Sequence, residues 1–111
     1  MKIYIAGPMT GYTDYNRQAF HRAADALRHV GYEVVNPADI KEPCENPKWK
    51  DWMREAIKLL VDCDGVCLLP DSELSRGAKV EKALALGLHM EVGSLGGWIT
   101  HKKYPSDDDA E

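Results

Sequence analysis

The chain has 111 residues, enough for one hydrophobic core and too few for two, since domains commonly run to about 100–150 residues. Its hydrophobic share of 44% and charged share of 29% are those of an ordinary soluble globular protein. A formal net charge of −4, with no block of Lys and Arg longer than two, argues against the basic stripe of a nucleic-acid-binding surface, while a small phosphorylated ligand held at a helix end stays open.

Lys2 to Ala6 is a short β-branched and aromatic run stopped by Gly7-Pro8, which predicts a buried first strand ending in a loop. From Asn16 to Val30, the residues Phe20, Ala23, Ala24, Leu27 and Val30 share one helical face, and Gly31 supplies the stop. Tyr32 to Val35 predicts a second strand, ended by Asn36-Pro37, and a loop rich in Pro, Asn and charge follows over 37–47. Residues 48–61 carry the clearest helical pattern: Trp49, Trp52, Met53, Ala56, Ile57 and Leu60 line a wide apolar stripe, in which the tryptophans read as packing. After Asp64-Gly65, the run Val66-Cys67-Leu68-Leu69-Pro70 suits a central parallel strand buried on both faces. A loop from Asp71 to Ser75 leads into a third helix over 77–87, and a fourth strand is expected near 89–93.

This alternation specifies an α/β fold: a small flavodoxin-like or Rossmann-like parallel sheet of four to five strands with helices on both faces. Ligands of such sheets bind outside the carboxyl ends of the strands where the strand order reverses, which directs attention to the loops 7–15 and 70–77. The domain is expected to span 1–93. Beyond it, Gly96-Gly97, Pro105 and the run Asp107-Asp108-Asp109 predict a solvated acidic tail over 94–111.

Cys44, Cys63 and Cys67 match no zinc or disulfide framework, and Cys63 and Cys67 border or lie within an apolar run, as buried structural thiols do. The four histidines, His21, His29, His89 and His101, are scattered without metal-ligand spacing, so no metal site is expected. Met1-Lys2 leads directly into the first strand pattern with no signal peptide, and no apolar run approaches the ~18 residues of a membrane span. The expectation is a cytoplasmic protein without a membrane partner.

Two loops hold the least ordinary residues. The first, Gly7-Pro8-Met9-Thr10-Gly11-Tyr12, has glycines that allow close backbone approach or positive φ. It lacks the lysine and the Gly-Lys-Ser/Thr end of a P-loop, and GxGxxG does not occur. An ordinary strand-to-helix turn is an equal reading. In the second, Ser75 is a candidate N-cap whose hydroxyl accepts from a first-turn N–H, and Gly77 and Ala78 keep that turn narrow enough for a ligand at the positive end of the helix. Glu81 follows less than two turns later. A glutamate there is either a solvated partner of the helix dipole or a carboxylate aimed into the cleft.

The pairing of Tyr4-Ile5-Ala6-Gly7-Pro8 with the later Ser75-Arg76-Gly77-Ala78-Lys79-Val80-Glu81 resembles the nucleoside 2-deoxyribosyltransferase family and its relatives that hydrolyse 2′-deoxynucleoside 5′-monophosphates. The likeness runs from residue 2 to about 88, and in size and pattern the chain is similar to small members of this superfamily common in phage genomes. The resemblance implies that Glu81 attacks C1′ of a deoxyribose and forms a covalent glycosyl ester, resolved by water or by a second base. It implies that the Tyr4 hydroxyl orients Glu81, and that Gly7, Pro8, Met9, Ser75, Arg76, Gly77 and Ala78 contact the substrate. Nucleoside-specific members carry an aspartate where Ser75 stands. A carboxylate there would repel a 5′-phosphate by several kcal/mol in a partly desolvated site, so Ser75 favours a nucleotide over a free nucleoside. Arg76 either helps or points to water.

One position departs from the family. The aspartate that assists the leaving base falls on Ala56, beside Glu55, and base departure without such help loses a factor of ~10²–10⁴. Three alternatives follow: a glycosidase that is slow or uses Glu55 or Asp51, a non-catalytic nucleotide-binding or sequestering module, and an interaction protein using the Trp stripe and acidic tail. The family further implies a homodimer or higher homo-oligomer whose subunits complete each other's sites, and no metal or organic cofactor.

Overall fold

The structure, a computed structural model, describes residues 1–103. Among them four strands, β1 (Lys2–Ala6), β2 (Glu33–Val35), β3 (Gly65–Leu68) and β4 (Glu91–Ser94), form one parallel sheet in the order β2-β1-β3-β4. They alternate with helices α1 (Arg17–His29), α2 (Trp49–Leu60), α3 (Arg76–Gly87) and α4 (Leu95–Lys103). The α/β architecture is therefore the expected Rossmann-like or flavodoxin-like one, with four strands. No helix of the described residues is long and apolar enough to cross a membrane.

The central strand explains the layering. Along β1 successive side chains point to opposite faces. Ile3 and Ile5 join Phe20, Ala23, Ala24 and Leu27 of α1 together with Trp98 of α4, whereas Tyr4 and Ala6 join Ala56 and Leu60 of α2 and Ala78 and Ala85 of α3. All four β1 residues are fully buried, which is why the strand reads as an unbroken apolar run rather than an alternating one. Helix α1 buries the stripe predicted for it, and it ends where Gly31 takes a φ of 106° that lets the Tyr32 N–H return to the Leu27 carbonyl at 3.1 Å. At the start of α2, the Asp51 carboxylate accepts the Lys48 N–H at 2.8 Å, closing the N-terminus without a Ser or Thr.

The expected tail beyond residue 94 is corrected over its first part, because residues 95–103 form α4 and dock. Trp98 is only 4% exposed. Its indole covers two strand glycines: a Cβ on Gly65 would fall 2.6 Å from Trp98 Cη2, and one on Gly93 would fall 3.4 Å from Nε1. The indole N–H donates to the Val66 carbonyl at 2.9 Å, and the Tyr32 hydroxyl donates to the Trp98 carbonyl at 2.9 Å. Leu95, Trp98 and Ile99 fall at i, i+3 and i+4, and Leu95 packs with Trp98 on the α1 cluster. Pro105 and the Asp107–Asp109 run lie outside the described residues.

Candidate active site

The chain leaves β1 for β2 on one side, while β3 pairs on the other, so the strand order reverses between the carboxyl ends of β1 and β3. The loops after these strands meet there. Leu69 N–H donates to the Ala6 carbonyl at 2.9 Å, and the Tyr12 hydroxyl reaches Asp71 Oδ2 at 3.4 Å. Three consecutive residues of the first loop, Asp14, Tyr15 and Asn16, have positive φ of 49°, 53° and 61°. The turn is held by the Asn16 amide donating to the Pro8 carbonyl at 3.0 Å and by the Arg17–Asp14 ion pair at 3.1 Å.

On the α2/α3 side of this switch point the Tyr4 hydroxyl donates to Glu81 Oε2. Tyr4 comes from the middle of β1 and Glu81 from the second turn of α3, so two residues 77 apart in sequence meet because α3 packs on the central strands. Glu81 is 6% exposed, which rules out the solvated helix-dipole role. Burial pushes its carboxyl up to about 7, and the Tyr4 hydrogen bond offsets part of that rise. Burial also holds the Tyr4 phenol well above its ordinary range, reinforced by the Glu81 charge, so Tyr4 stays a proton donor. No buried side-chain oxygen among the described residues lacks a partner, and Tyr4 supplies the one bond to Glu81. The second carboxylate oxygen takes part in no hydrogen bond among the described residues.

Ser75 takes its predicted place as N-cap of α3, its Oγ accepting the Ala78 N–H at 3.2 Å. That uses a lone pair and keeps the hydroxyl proton for donation. Arg76 opens the helix, and its guanidinium carbon lies 4.0 Å from the Trp49 ring centroid. Gly77 is packed closely: a Cβ there would sit 3.1 Å from Met53 Sδ. Ala78 is core. The first loop behaves differently. Leu69 fills the space beside Gly7, where a Cβ would fall 2.8 Å from Leu69 Cβ, so packing against this chain's own side chain accounts for the glycine. Pro8 is buried, and Met9 leans on the α1/α4 cluster, away from the face that holds Tyr4.

Ala56 is packed in the same cluster as Tyr4, and no hydrogen bond joins Asp51 or Glu55 to Tyr4 or Glu81. Asp51 is held below the usual carboxylate range chiefly by the Lys48 backbone N–H, and Glu55 pairs with Lys58 at 2.7 Å. Both line an open hollow of about 460 Å³ with Pro43, Cys44 and Arg54. A second hollow of about 430 Å³ lies against Pro70, Ser72 and Ser94. Tyr4, Ser75 and Glu81 line neither of these two hollows. Cys63 and Cys67 are buried, with thiols pushed up to about 11 and about 12 by burial, in keeping with structural roles. No cluster of potential metal ligands occurs among the described residues.

The Arg76–Trp49 stack and the Tyr12–Asp71 bridge were not legible in the sequence, since each joins residues from separate elements with no shared motif. No curated protein matches the chain significantly. The model of one family, described as a domain of unknown function (DUF4406), matches residues 1–94, which is most of the chain and includes every element from β1 to β4. The chain belongs to the DUF4406 family.

Proposed function

We propose that the protein is an enzyme of N-glycosidic bonds that acts on a 2′-deoxynucleotide, by cleavage or by deoxyribosyl transfer, with Glu81 as nucleophile. One observation carries this reading: a buried carboxylate takes the Tyr4 hydroxyl on one oxygen and leaves the other without a hydrogen bond among the described residues. That second oxygen attacks C1′, the bond from C1′ to the base nitrogen breaks, and its electron pair leaves with the base. The glycosyl ester is then attacked at C1′ by water or a second base, and the carboxylate departs with the ester electrons. In hydrolysis the proton lost by water balances the one taken up by the freed base. Tyr4 stays hydrogen-bonded throughout and orients the carboxylate. Ser75 offers its hydroxyl proton to a 5′-phosphate at the positive end of α3, where a carboxylate would repel it.

Assembly as a homodimer or higher homo-oligomer is part of the proposal. Trp49, Val80, Leu86 and Leu88 stand exposed on or beside α2 and α3, the helices that carry the site, and a second copy would cover them.

The decisive experiment incubates the protein with each deoxynucleoside monophosphate and follows free base by chromatography, beside Glu81→Gln. Base release lowered at least ~10³-fold in the variant is the expected result. Undiminished release would dispose of Glu81 as nucleophile. A specific observation favours a second reading, a non-catalytic nucleotide-binding module: Ala56 sits in the core where the resembled enzymes place their acid. That reading expects a ligand-induced rise in melting temperature with no base released by the wild type.

Tyr4→Phe tests the pair from its other side. Removing the donor leaves burial unopposed, so Glu81 ionises at higher pH. The expected outcome is an upward shift of the pH–rate midpoint and a rate at pH 7 lower by ~10–100-fold. An unmoved midpoint would mean that the tyrosine does not set the ionisation of the nucleophile.

A further inference from the structure

Arg76 is placed with unusual care for an exposed cation. Its guanidinium carbon lies 4.0 Å from the centroid of the Trp49 ring, well inside the ~6 Å over which a cation is drawn to an aromatic face. No carboxylate pairs with it: the ion pairs among the described residues are Lys2–Asp62, Arg17–Asp14 and Lys58–Glu55. Trp49 also adjoins the same helical turn from below, because a Cβ on Gly77 would lie 3.9 Å from its Nε1. The first turns of α2 and α3 thus converge, and the ring of one lies against the charge of the other.

The geometry matters for what the guanidinium can still do. A guanidinium stacked on an indole uses its flat π face, whereas its five N–H donors lie in the plane at the edge. The stack therefore restrains a long side chain without consuming any donor. It leaves N–H donors for two oxygens of a phosphate on a residue of the first turn of α3, the helix that Ser75 caps and that carries Glu81. We propose that Trp49 is a positioning residue for Arg76, and that the stacked pair selects substrates carrying a phosphoryl group over their neutral nucleoside counterparts. This rests on the reading of the Glu81 site as a nucleotide site and adds its selection device.

The test uses the full chain as wild type, Trp49→Ala, Trp49→Phe and Arg76→Gln. Calorimetric affinities, with kcat and KM where base is released, are measured for each deoxynucleoside 5′-monophosphate and its nucleoside. Trp49→Ala is expected to weaken the monophosphate by ~3–10-fold, in KM and not kcat, with nucleoside binding unchanged. Trp49→Phe, which restores a ring face, should lie within ~2-fold of wild type, and Arg76→Gln should lose ~10-fold or more. Equal weakening of monophosphate and nucleoside in Trp49→Ala overturns the proposal, as does an unaltered preference in Arg76→Gln. A wild type that binds no monophosphate better than its nucleoside also overturns it, yet leaves the glycosidase reading standing if base is released. Conversely, a preference that depends on both residues, without base release from any substrate, supports the selection device while removing the enzyme reading.

Discussion

Glu81→Gln is expected to make the folded chain more stable at pH 8 by roughly 2–3 kcal/mol, while changing its stability little at pH 4. The cause is the buried carboxyl, whose ionisation is pushed up to about 7 from an ordinary value of 4.5. Between these pH values the folded state holds more protons than the unfolded one, so stability falls as pH rises. The contribution is fully present below about 4.5 and is lost as pH passes through about 7. Glutamine is isosteric, still accepts from Tyr4 and never ionises, so it escapes this loss. Urea unfolding of both proteins at pH 4, 6 and 8 checks it, and equal midpoints at pH 8 would contradict the burial argument. Catalysis has the opposite sign: base release should rise as pH passes about 7, because the ionised form is the nucleophile. Protein stability and nucleophile readiness are thus opposed at one side chain.

The second large effect lies at Trp98. Trp98→Ala is expected to cost ~3–5 kcal/mol, a large fraction of the stability of a domain this size. The indole is 4% exposed, covers Gly65 and Gly93, and satisfies the Val66 carbonyl, so its loss opens a cavity over bare sheet. Deleting residues 95–111 should cost at least as much, although the family match ends at residue 94. Denaturant midpoints of the variant and the truncated chain measure this. A truncated chain as stable as the whole would show that α4 contributes nothing to the core.

Much of the fold follows from local pattern. The α1 and α2 stripes, the β1 run and the Gly31 stop each state a local preference that tertiary packing then honours, and their boundaries fall within two residues of those predicted. The displaced pieces are those whose burial is decided at a distance. Strand β4, expected near 89–93, runs from Glu91 to Ser94, its ends set by pairing with β3. Helix α4 escapes notice because its apolar residues Leu95, Trp98 and Ile99 span little more than one turn beside Gly96-Gly97, although Gly65 and Gly93 inside strands are a sign of close approach by something bulky. At the candidate site, the Ser75 cap is readable from spacing, and the Tyr4–Glu81 contact was suggested only by resemblance. Gly7 shows the limit of motif reading: a glycine beside a ligand and a glycine beside Leu69 look alike in one dimension.

The central place of β1 has a consequence for the order in which the chain becomes folded. Its neighbour β3 pairs Gly65 with Ile3 and Cys67 with Ile5, and the Lys2 N–H is satisfied by Asp64, so this strand waits for partners about sixty residues downstream. The indole that seals Gly65 follows later still. A nascent chain that has emitted β1, α1 and β2 owns a two-stranded ribbon with one apolar edge open, which is marginal in water. Closing the loop to β3 is the entropically expensive step, and the α2/α3 side of the core depends on it. Helix α1 can shield Ile3 and Ile5 early, whereas the β3-side edge of β1 stays unpaired and Tyr4 lacks its α3 neighbours Ala78 and Ala85 until β3 and α3 arrive.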